Sequence, residues 1–346
     1  MAADGFLALR STLASCTDET LARGPRESRI SMKRVMDALW PVIGLGAVVL
    51  SGWLLLRELK GLKLADVADG LLQISPLHWV LAIGCSALAY AALAWYDQIA
   101  LMHLRHKLPW RFVGLVSFTT YALAHNIGAS VFSGAIVRYR AYSTKGLSAA
   151  EVGLLVAFCS ITFTLGNLLL AGLVLMIEPD FILRIVDVPH FGGRAVAVVL
   201  LALPWLYTVG ALLHFRPIEI LGFKLFYPRP PIAARQLLAG PIELIGAAGI
   251  IYFALPAAGN PGFLIVLAAF LASFSLALIS HAPGGLGVLE LTFIKITPDV
   301  PRAEVVAALL VFRLLYLILP LLFSLVVVVL FERERIAALL SRHNKG

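Results

Sequence analysis

The chain has 346 residues, of which 60% are hydrophobic and only 14% are charged, and its mean hydropathy is +0.91. A soluble domain carries about 25% charged residues, so this composition excludes an ordinary soluble protein and predicts a membrane protein. The net charge of +8 does not indicate a nucleic-acid partner, because the basic residues lie between apolar runs rather than along one face. Lysine and arginine beside membrane spans are typical of the cytoplasmic side.

The polar residue types show no catalytic or metal-binding pattern. The three cysteines, Cys16, Cys85 and Cys159, form neither a disulfide framework nor a metal-ligand spacing. We expect Cys85 and Cys159 to be small packing residues between helices. The glycines at 284, 285 and 287 are not followed by Lys-Ser or Lys-Thr, so they do not form a nucleotide-binding loop. We therefore expect no metal, no cofactor and no soluble catalytic domain.

Apolar runs of the length that crosses a bilayer, about 20 residues, recur along the chain, and the alternation typical of a barrel is absent. The sequence predicts an all-α polytopic membrane protein with about eight hydrophobic segments, at roughly 39–56, 77–102, 112–137, 152–177, 195–214, 236–255, 263–296 and 305–330. Polar, basic tails at 1–37 and 333–346 flank this transmembrane domain of residues 38–332. The positive-inside rule places both tails in the cytoplasm, and the N-terminal apolar patch is too short for a signal peptide.

The segment 112–137 does not behave as a simple span. A single crossing would leave Arg138 and Arg140 outside, against the charge rule. A turn near Asn126 and Gly128 would instead return these cations to the cytoplasm. We predict a re-entrant pair of short helices here.

The stretch SHAPGGLGVLE, from Ser280 to Glu290, interrupts a second apolar run with a proline and three glycines. Non-helical backbone at membrane depth is tolerated only where it is buried in protein or lines a watery cavity. If this segment is also re-entrant, the chain divides into two halves, about 38–178 and 194–332, with the same order of segments and opposite orientation. Inverted repeats of this kind recur in transporters, and their breaks mark the substrate site.

The candidate site consists of polar or ionisable residues beside the two breaks or inside apolar runs. A charged side chain on a membrane helix is costly, so it usually faces a cavity or a partner. The candidates for binding a substrate are Asp97, His125, Asn126, Arg138, Arg140, Glu243, His281, Glu290 and Arg313. The residues that would form the breaks are Gly128, Gly134, Pro283, Gly284, Gly285 and Gly287.

Simpler alternatives remain open for each kind of candidate. Asp97 can reach the membrane interface, and the arginines after the first break can be ordinary charge anchors. The histidines can satisfy loosened backbone rather than relay protons. Glu243 can serve in structural pairing, and Glu290 can pair with Arg313 instead of contacting a ligand.

Four stretches carry a resemblance to a known family: YDQIAL from Tyr96, SFTTYALAHNIGASVFSGAIVRYRAYSTKGLS from Ser117, AFCSITFTLGN from Ala157, and PGGLGVLE from Pro283. They resemble the membrane flippase domain of the multiple peptide resistance factor family, the bacterial lysyl-phosphatidylglycerol synthases. In that family an eight-segment region is associated with translocating aminoacylated phosphatidylglycerol. A separate soluble domain makes this lipid from aminoacyl-tRNA.

The resemblance runs from about Trp40 to Leu330, and the sequence ends soon afterwards, at Gly346. It therefore implies a lipid flippase of the bacterial inner membrane that lacks the tRNA-dependent transferase domain and is not an enzyme. Its consequence would be a less negative outer surface and resistance to cationic antimicrobial peptides.

The resemblance also implies roles for the charged candidates. Asp97, Glu243 and Glu290 would complement a cationic headgroup such as a lysyl or alanyl ester, and Arg138 and Arg140 would hold the phosphate. The implied partners are membrane phospholipids, with no nucleic acid. A separate lipid synthase and a homo-oligomer remain open.

Two other functions are compatible with the sequence. One is translocation of another amphiphile, such as an isoprenoid-linked sugar or a glycolipid. The other is a membrane subunit that does not transport but supports a lipid-modifying enzyme.

Overall fold

The computed structural model describes residues 64–127, 130–185, 192–213, 215, 218–220, 223–225, 227–257, 259–280 and 282–329. Both polar tails, the predicted first span at 39–56, Gly128 and His281 lie outside the described residues.

The described chain is almost entirely helical, in keeping with the predicted all-α membrane fold. The helices are α1 Leu64–Leu72, α2 Pro76–His103, α3 Trp110–Ile127, α4 Ser130–Tyr142, α5 Ala149–Ile177, α6 Gly192–Leu212, α7 Pro230–Ala254, α8 Phe263–Ile279, α9 Val288–Ile296 and α10 Arg302–Val329. Five of them, α2, α5, α6, α7 and α10, are long and apolar enough to cross a membrane. A small antiparallel ribbon, β1 Ile218–Ile220 and β2 Phe223–Leu225, precedes α7.

Helices α2 and α7 form the central pair of the bundle and run antiparallel. The rings of His78 and Phe253 lie 6.0 Å apart at one end, and Arg235 Nη1 lies 3.2 Å from Met102 Sδ at the other. Small residues allow the two backbones to approach closely, as is common between membrane helices. A Cβ built on Gly246 would lie 2.8 Å from the Cys85 carbonyl oxygen.

Helix α5 runs parallel to α7 and is therefore antiparallel to α2. The Gln236 amide of α7 donates a hydrogen bond of 2.8 Å to the Thr162 hydroxyl. Four residues further along both helices, a Cβ built on Gly166 would lie 2.5 Å from Gly240 Cα. This contact is closer than any side chain permits, so it requires glycine.

The first predicted re-entrant pair consists of α3 and α4, which pack against each other. His106, just after α2, lies 2.9 Å from Glu151 in the first turn of α5. The chain therefore leaves α2 and enters α5 on the same side of the bundle. This confirms that α3 and α4 together return the chain to the side from which it came. Helix α4 also extends past the apolar run, so Arg138 and Arg140 lie on the helix rather than in a following loop.

The second predicted pair, α8 and α9, enters from the opposite side. Arg184, which follows α5, donates to the Ile296 carbonyl at 3.2 Å and lies 2.7 Å from Asp299. Helix α10 therefore begins where α5 ends. Because α7 is parallel to α5, α7 also ends on that side, and so α8 and α9 start and finish there.

The two halves have the same set of contacts. In the first half α2 packs on α3, α3 on α4, α4 on α5 and α5 on α2, and in the second half α7, α8, α9 and α10 repeat this cycle. The tips of the two helix pairs meet, since a Cβ built on Gly284 would lie 3.9 Å from the His125 carbonyl oxygen. The fold is thus an inverted repeat whose two breaks come together.

The second break depends on glycine. Gly284, Gly285 and Gly287 have φ angles of +59°, +64° and +78°, which residues with a Cβ adopt only at a cost. The break therefore follows directly from the PGGLG sequence.

Candidate functional site

A cavity of about 350 Å³ lies where the two breaks meet, between α2, α3, α4, α5, α7, α8, α9 and α10. Most of its lining is apolar. Of the candidates named from the sequence, those that line it are His125, Arg138, Glu243, Gly284, Gly285 and Arg313. The inverted repeat therefore brings together residues that lie up to 188 positions apart in the chain, from His125 to Arg313.

Arg138 and Asp97 form a buried, bidentate ion pair at one side of the cavity. Arg138 Nε donates to Oδ2 at 3.1 Å and Nη2 to Oδ1 at 2.7 Å. The Tyr142 hydroxyl also donates to Oδ2, at 2.7 Å. Asp97 has no exposed surface, so it does not reach the membrane interface. It lies behind Arg138, and only the arginine of this pair lines the cavity.

Local sequence makes room for this arginine. Gly134 lies one turn earlier on α4, and a Cβ there would be 3.3 Å from Arg138 Nη1 and 3.2 Å from Thr120 Cγ2. The guanidinium also lies over the Tyr121 ring, 4.7 Å from its centroid, where a cation–π attraction adds to the ion pair.

Arg313 and Glu290 form the second ion pair, on the opposite side of the junction. Arg313 Nε donates to Glu290 Oε1 at 2.5 Å, and Nη1 donates to the Gly284 carbonyl at 3.1 Å. Glu290 Oε2 accepts from the Gly287 backbone amide at 2.9 Å, which caps the start of α9. Glu290 therefore holds the second break against α10. Only Arg313 of this pair lines the cavity.

Arg313 begins a wider π-helical turn of α10 that ends at Ile318. Such turns are frequent at functional sites. Arg313 Nη2 lies 2.5 Å from the same Glu290 oxygen, but its N–H groups are not aligned with that oxygen and form no hydrogen bond with the described residues.

Glu243 is a buried carboxylate whose contacts are hydroxyl groups. It is 1% exposed. The Tyr316 hydroxyl donates to Oε1 at 2.5 Å and the Tyr96 hydroxyl to Oε2 at 3.5 Å. Within the described part of the chain, no lysine or arginine forms an ion pair with it. Around the cavity, three carboxylates (Asp97, Glu243, Glu290) therefore face two guanidinium groups, a formal balance of −1 when all are ionised.

His125 lies at the tip of α3 between the two ion pairs. Its ring stacks on Tyr316 with centroids 5.3 Å apart and lies 5.6 Å from the ring of Tyr121. Its Nδ1 is buried and has no hydrogen-bond partner among the described residues. A hydrogen-bond donor or acceptor on a ligand can therefore pair with this nitrogen.

Two candidates lie away from the cavity. Asn126 donates to the Ala122 and Leu317 carbonyls at 2.8 and 3.1 Å, which ties the first break to α10. Arg140 is exposed on α4 and is not part of the cavity lining. Of the Arg-Tyr-Arg motif, the first arginine is therefore the one at the cavity.

Sequence reasoning missed the tyrosines that hold the charged residues. Each lies near a charged residue in sequence: Tyr96 precedes Asp97, Tyr142 follows Arg138 by four positions, and Tyr316 follows Arg313 by three. Spacings of three and four place Tyr316 beside Arg313 and Tyr142 beside Arg138 on one helix face, which the sequence could have shown, whereas the adjacent Tyr96 and Asp97 point in different directions.

The cavity reaches the outer surface of the bundle between α5 and α8. Ser160 and Thr164 line it and are exposed, and Leu278 on α8 is 37% exposed. Both hydroxyls donate to carbonyls of their own helix, at 3.1 and 2.9 Å. The cavity therefore opens on the side of the bundle, between α5 and α8.

Fold and site together define a multi-pass membrane protein with an intramembrane cavity between two inverted helix pairs. The inner membrane protein YbhN of Escherichia coli (strain K12) is 32% identical over 263 residues, which cover 73% of this chain and 80% of YbhN. The chain belongs to the family of YbhN. No family model matches the sequence.

Two further kinds of relative were found. An uncharacterized protein of Synechocystis is 28% identical over 235 residues, covering 67% of this chain and 72% of that protein. The phosphatidylglycerol lysyltransferase of Staphylococcus haemolyticus is 24% identical over 279 residues, 79% of this chain. The matched region is 31% of the lysyltransferase, so the chain spans about a third of that relative's length. The resemblance to the membrane domain of the lysyl-phosphatidylglycerol synthases is thereby confirmed.

Proposed function

We propose that this protein is a transporter, not an enzyme, that moves a phospholipid between the leaflets of the bacterial inner membrane. The family supports this proposal in two ways. One relative is named an inner membrane protein, and others are named phosphatidylglycerol lysyltransferases. The observation that carries the proposal is the central cavity, a mostly apolar chamber lined by Arg138, Arg313 and Glu243, in which Arg313 Nη2 has no hydrogen-bond partner among the described residues.

The arginines are suited to a phosphate. A guanidinium has five N–H donors, and the ion pair with Asp97 uses only the Nε and Nη2 groups of Arg138. Arg313 uses Nε and Nη1, and its Nη2 is unsatisfied among the described residues. A phosphodiester between the two arginines accepts these remaining hydrogen bonds while the carboxylates behind them keep the guanidinium groups in place.

Glu243 allows the cavity to recognise an amine in addition to a phosphate. Its carboxylate lines the same chamber without a cationic partner in the described chain, so it can accept hydrogen bonds from an ammonium group. A headgroup with both a phosphate and an amine, such as aminoacylated phosphatidylglycerol, matches two arginines and one carboxylate that has no ion-pair partner among the described residues. Export of such a lipid makes the outer surface less negative and gives resistance to cationic antimicrobial peptides.

The inverted repeat supplies a route through the membrane. The α3–α4 pair enters from one side and the α8–α9 pair from the other, and their tips meet at the cavity. Rocking of one half against the other opens the cavity to each side in turn, a mechanism found in other inverted-repeat transporters. We place the α3–α4 pair and both termini on the cytoplasmic side, following the charge rule.

The test is translocation in vesicles. Purified protein is reconstituted into proteoliposomes that contain a trace of fluorescent phosphatidylglycerol, lysyl-phosphatidylglycerol or an uncharged glycolipid, and an impermeant quencher reports headgroup exposure. We expect faster exchange of the phosphate-bearing lipids than in protein-free vesicles. Exchange of the glycolipid alone would point to another amphiphile. If no lipid exchanges, the protein is a membrane subunit that does not transport.

A further inference from the structure

A second cavity, of about 210 Å³, lies between α5, α6 and α8 and extends to the turn at Pro179–Arg184. Its lining is apolar apart from two residues, Asn167 and Ser275. These two satisfy each other, because the Asn167 amide donates to the Ser275 hydroxyl at 2.6 Å. The rest of the described lining has no side-chain group that can bind a headgroup or an ion.

The two cavities lie along one seam between α5 and α8. On α5, Thr164 lines the central cavity and Leu168, one turn later, lines the second. On α8 the order is reversed, with Leu278 at the central cavity and Leu271 at the second. The seam therefore leads from the central cavity toward the C-terminal end of α5, and the Asn167–Ser275 hydrogen bond lies at the junction.

The second cavity is too large to be an ordinary packing defect. Protein interiors have few voids larger than a water molecule, and an apolar cavity of about 150 Å³ is enough to bind benzene. Apolar cavities also exclude water. Leu168 and Ala171 on α5 and Leu200 on α6 line the cavity and are partly exposed, so it is open on the side of the bundle. Along these membrane-spanning helices the surrounding solvent is hydrocarbon.

We propose that this second cavity holds an acyl chain of the lipid whose headgroup occupies the central cavity. The proposal rests on the proposed function and extends it from the headgroup to the chain. A lipid bound in this way has its headgroup midway along α5 and its chain toward the C-terminal end of α5. A lipid in the leaflet at the N-terminal end of α5 has this same orientation, because its chains point toward the C-terminal end of α5. The second cavity therefore holds the lipid before its headgroup crosses to the other leaflet.

The orientation agrees with the arrangement of the helix pairs. The N-terminal end of α5 is the side where α2 ends and where α3 and α4 enter, as the contact between His106 and Glu151 shows. A lipid from that leaflet reaches Arg138 of α4 without turning over. Its chain then lies against Ala171 on α5 and Ala272 on α8, two small residues that widen the cavity.

Photo-crosslinking tests the proposal. The protein is reconstituted with phosphatidylglycerol that carries a diazirine near the end of one acyl chain, illuminated and digested, and the labelled residues are located by mass spectrometry. We expect labels in segments 167–185 and 268–275. Ala272→Phe, and the smaller change Ala171→Leu as a second variant, should abolish these labels. Ala202→Phe is the matched control, since Ala202 is exposed on α6 and does not line the cavity.

Loss of labelling in both filling variants and its retention in the control would support the acyl-chain cavity. Labelling that is absent in the wild type, or unchanged by both filling variants, would overturn it. Headgroup exchange is measured in the same vesicles, which separates the two proposals. Exchange without cavity labelling contradicts the acyl-chain cavity alone. Cavity labelling without exchange contradicts translocation and leaves the chain-binding cavity supported.

Discussion

Arg138 of α4 and Asp97 of α2 form a bidentate ion pair in the interior of the bundle, with hydrogen bonds of 3.1 and 2.7 Å. The carboxylate has no exposed surface and the arginine is 4% exposed. This pair fixes the first inverted helix pair against the central helix α2 and holds the arginine at the lining of the cavity.

The pair should behave as a unit in stability measurements. Asp97→Asn leaves a buried arginine without its counter-charge, and breaking such a pair costs about 3–5 kcal/mol. The double variant Asp97→Asn with Arg138→Gln leaves no unpaired charge and should recover part of that loss. Thermal unfolding in detergent measures the stability of the single variant and of the double variant. An equal loss of stability in the single and double variants would show that the two charges do not stabilise each other.

The close approach of α5 and α7 should depend on glycine. A Cβ at residue 240 would lie 2.7 Å from both Gly166 Cα and the Thr162 carbonyl oxygen, so Gly240→Ala forces the two backbones apart. Overpacking of this kind costs about 1–3 kcal/mol. Gly153→Ala on the same α5 is the control, because nothing lies within 4 Å of a Cβ there. If the two substitutions lower the unfolding temperature equally, the proposed contact is wrong.

Both helix breaks could be predicted from the sequence, because each depends on residues that are close together in the chain. The PGGLG run cannot continue a helix, and the cations after the first apolar run could return to the cytoplasm only if that segment turned back. These two facts predicted both re-entrant pairs and hence the inverted repeat. Four of the charged or histidine candidates, His125, Arg138, Glu243 and Arg313, then line one cavity.

The pairing of the charges was not predictable, because it depends on packing between distant helices. Asp97 and Arg138 are 41 positions apart, and Glu290 and Arg313 are 23 apart. Helices that are apolar on all sides give no pattern that tells which face is inward. For the same reason the sequence could not show that Glu243 on α7 meets Tyr316 on α10, or that Arg138 rather than Arg140 reaches the cavity.

The Glu290–Arg313 pair should be coupled energetically. Glu290 joins the Gly287 amide to Arg313, so Glu290→Gln and Arg313→Gln each loosen the same break. Residues in one hydrogen-bond network show coupling of about 0.5–3 kcal/mol in a double-mutant cycle. Unfolding of the two single variants and the double variant measures that coupling. If the stability losses of the two single variants add up to the loss in the double variant, the two residues act independently.

Glu243 should affect selectivity more than folding. Glu243→Gln keeps an oxygen that accepts the Tyr316 hydrogen bond, so the bundle should remain folded. Loss of the carboxylate should slow exchange of lysyl-phosphatidylglycerol and leave that of phosphatidylglycerol unchanged. Both rates are measured in the vesicle assay, with unfolding temperature as the control. An equal effect on the two lipids would exclude Glu243 as the group that recognises the amine.

In the proposed mechanism the lipid headgroup passes through the cavity between the two helix pairs and is held there by Arg138. The most direct test compares the initial rate of phosphatidylglycerol exchange in three proteins: wild type, Arg140→Gln, and the double variant Asp97→Asn with Arg138→Gln. Arg140 lies on the same helix as Arg138, outside the cavity. We expect Arg140→Gln to exchange lipid like wild type and the folded double variant to be reduced to the rate of protein-free vesicles. Wild-type exchange in a folded double variant would contradict it.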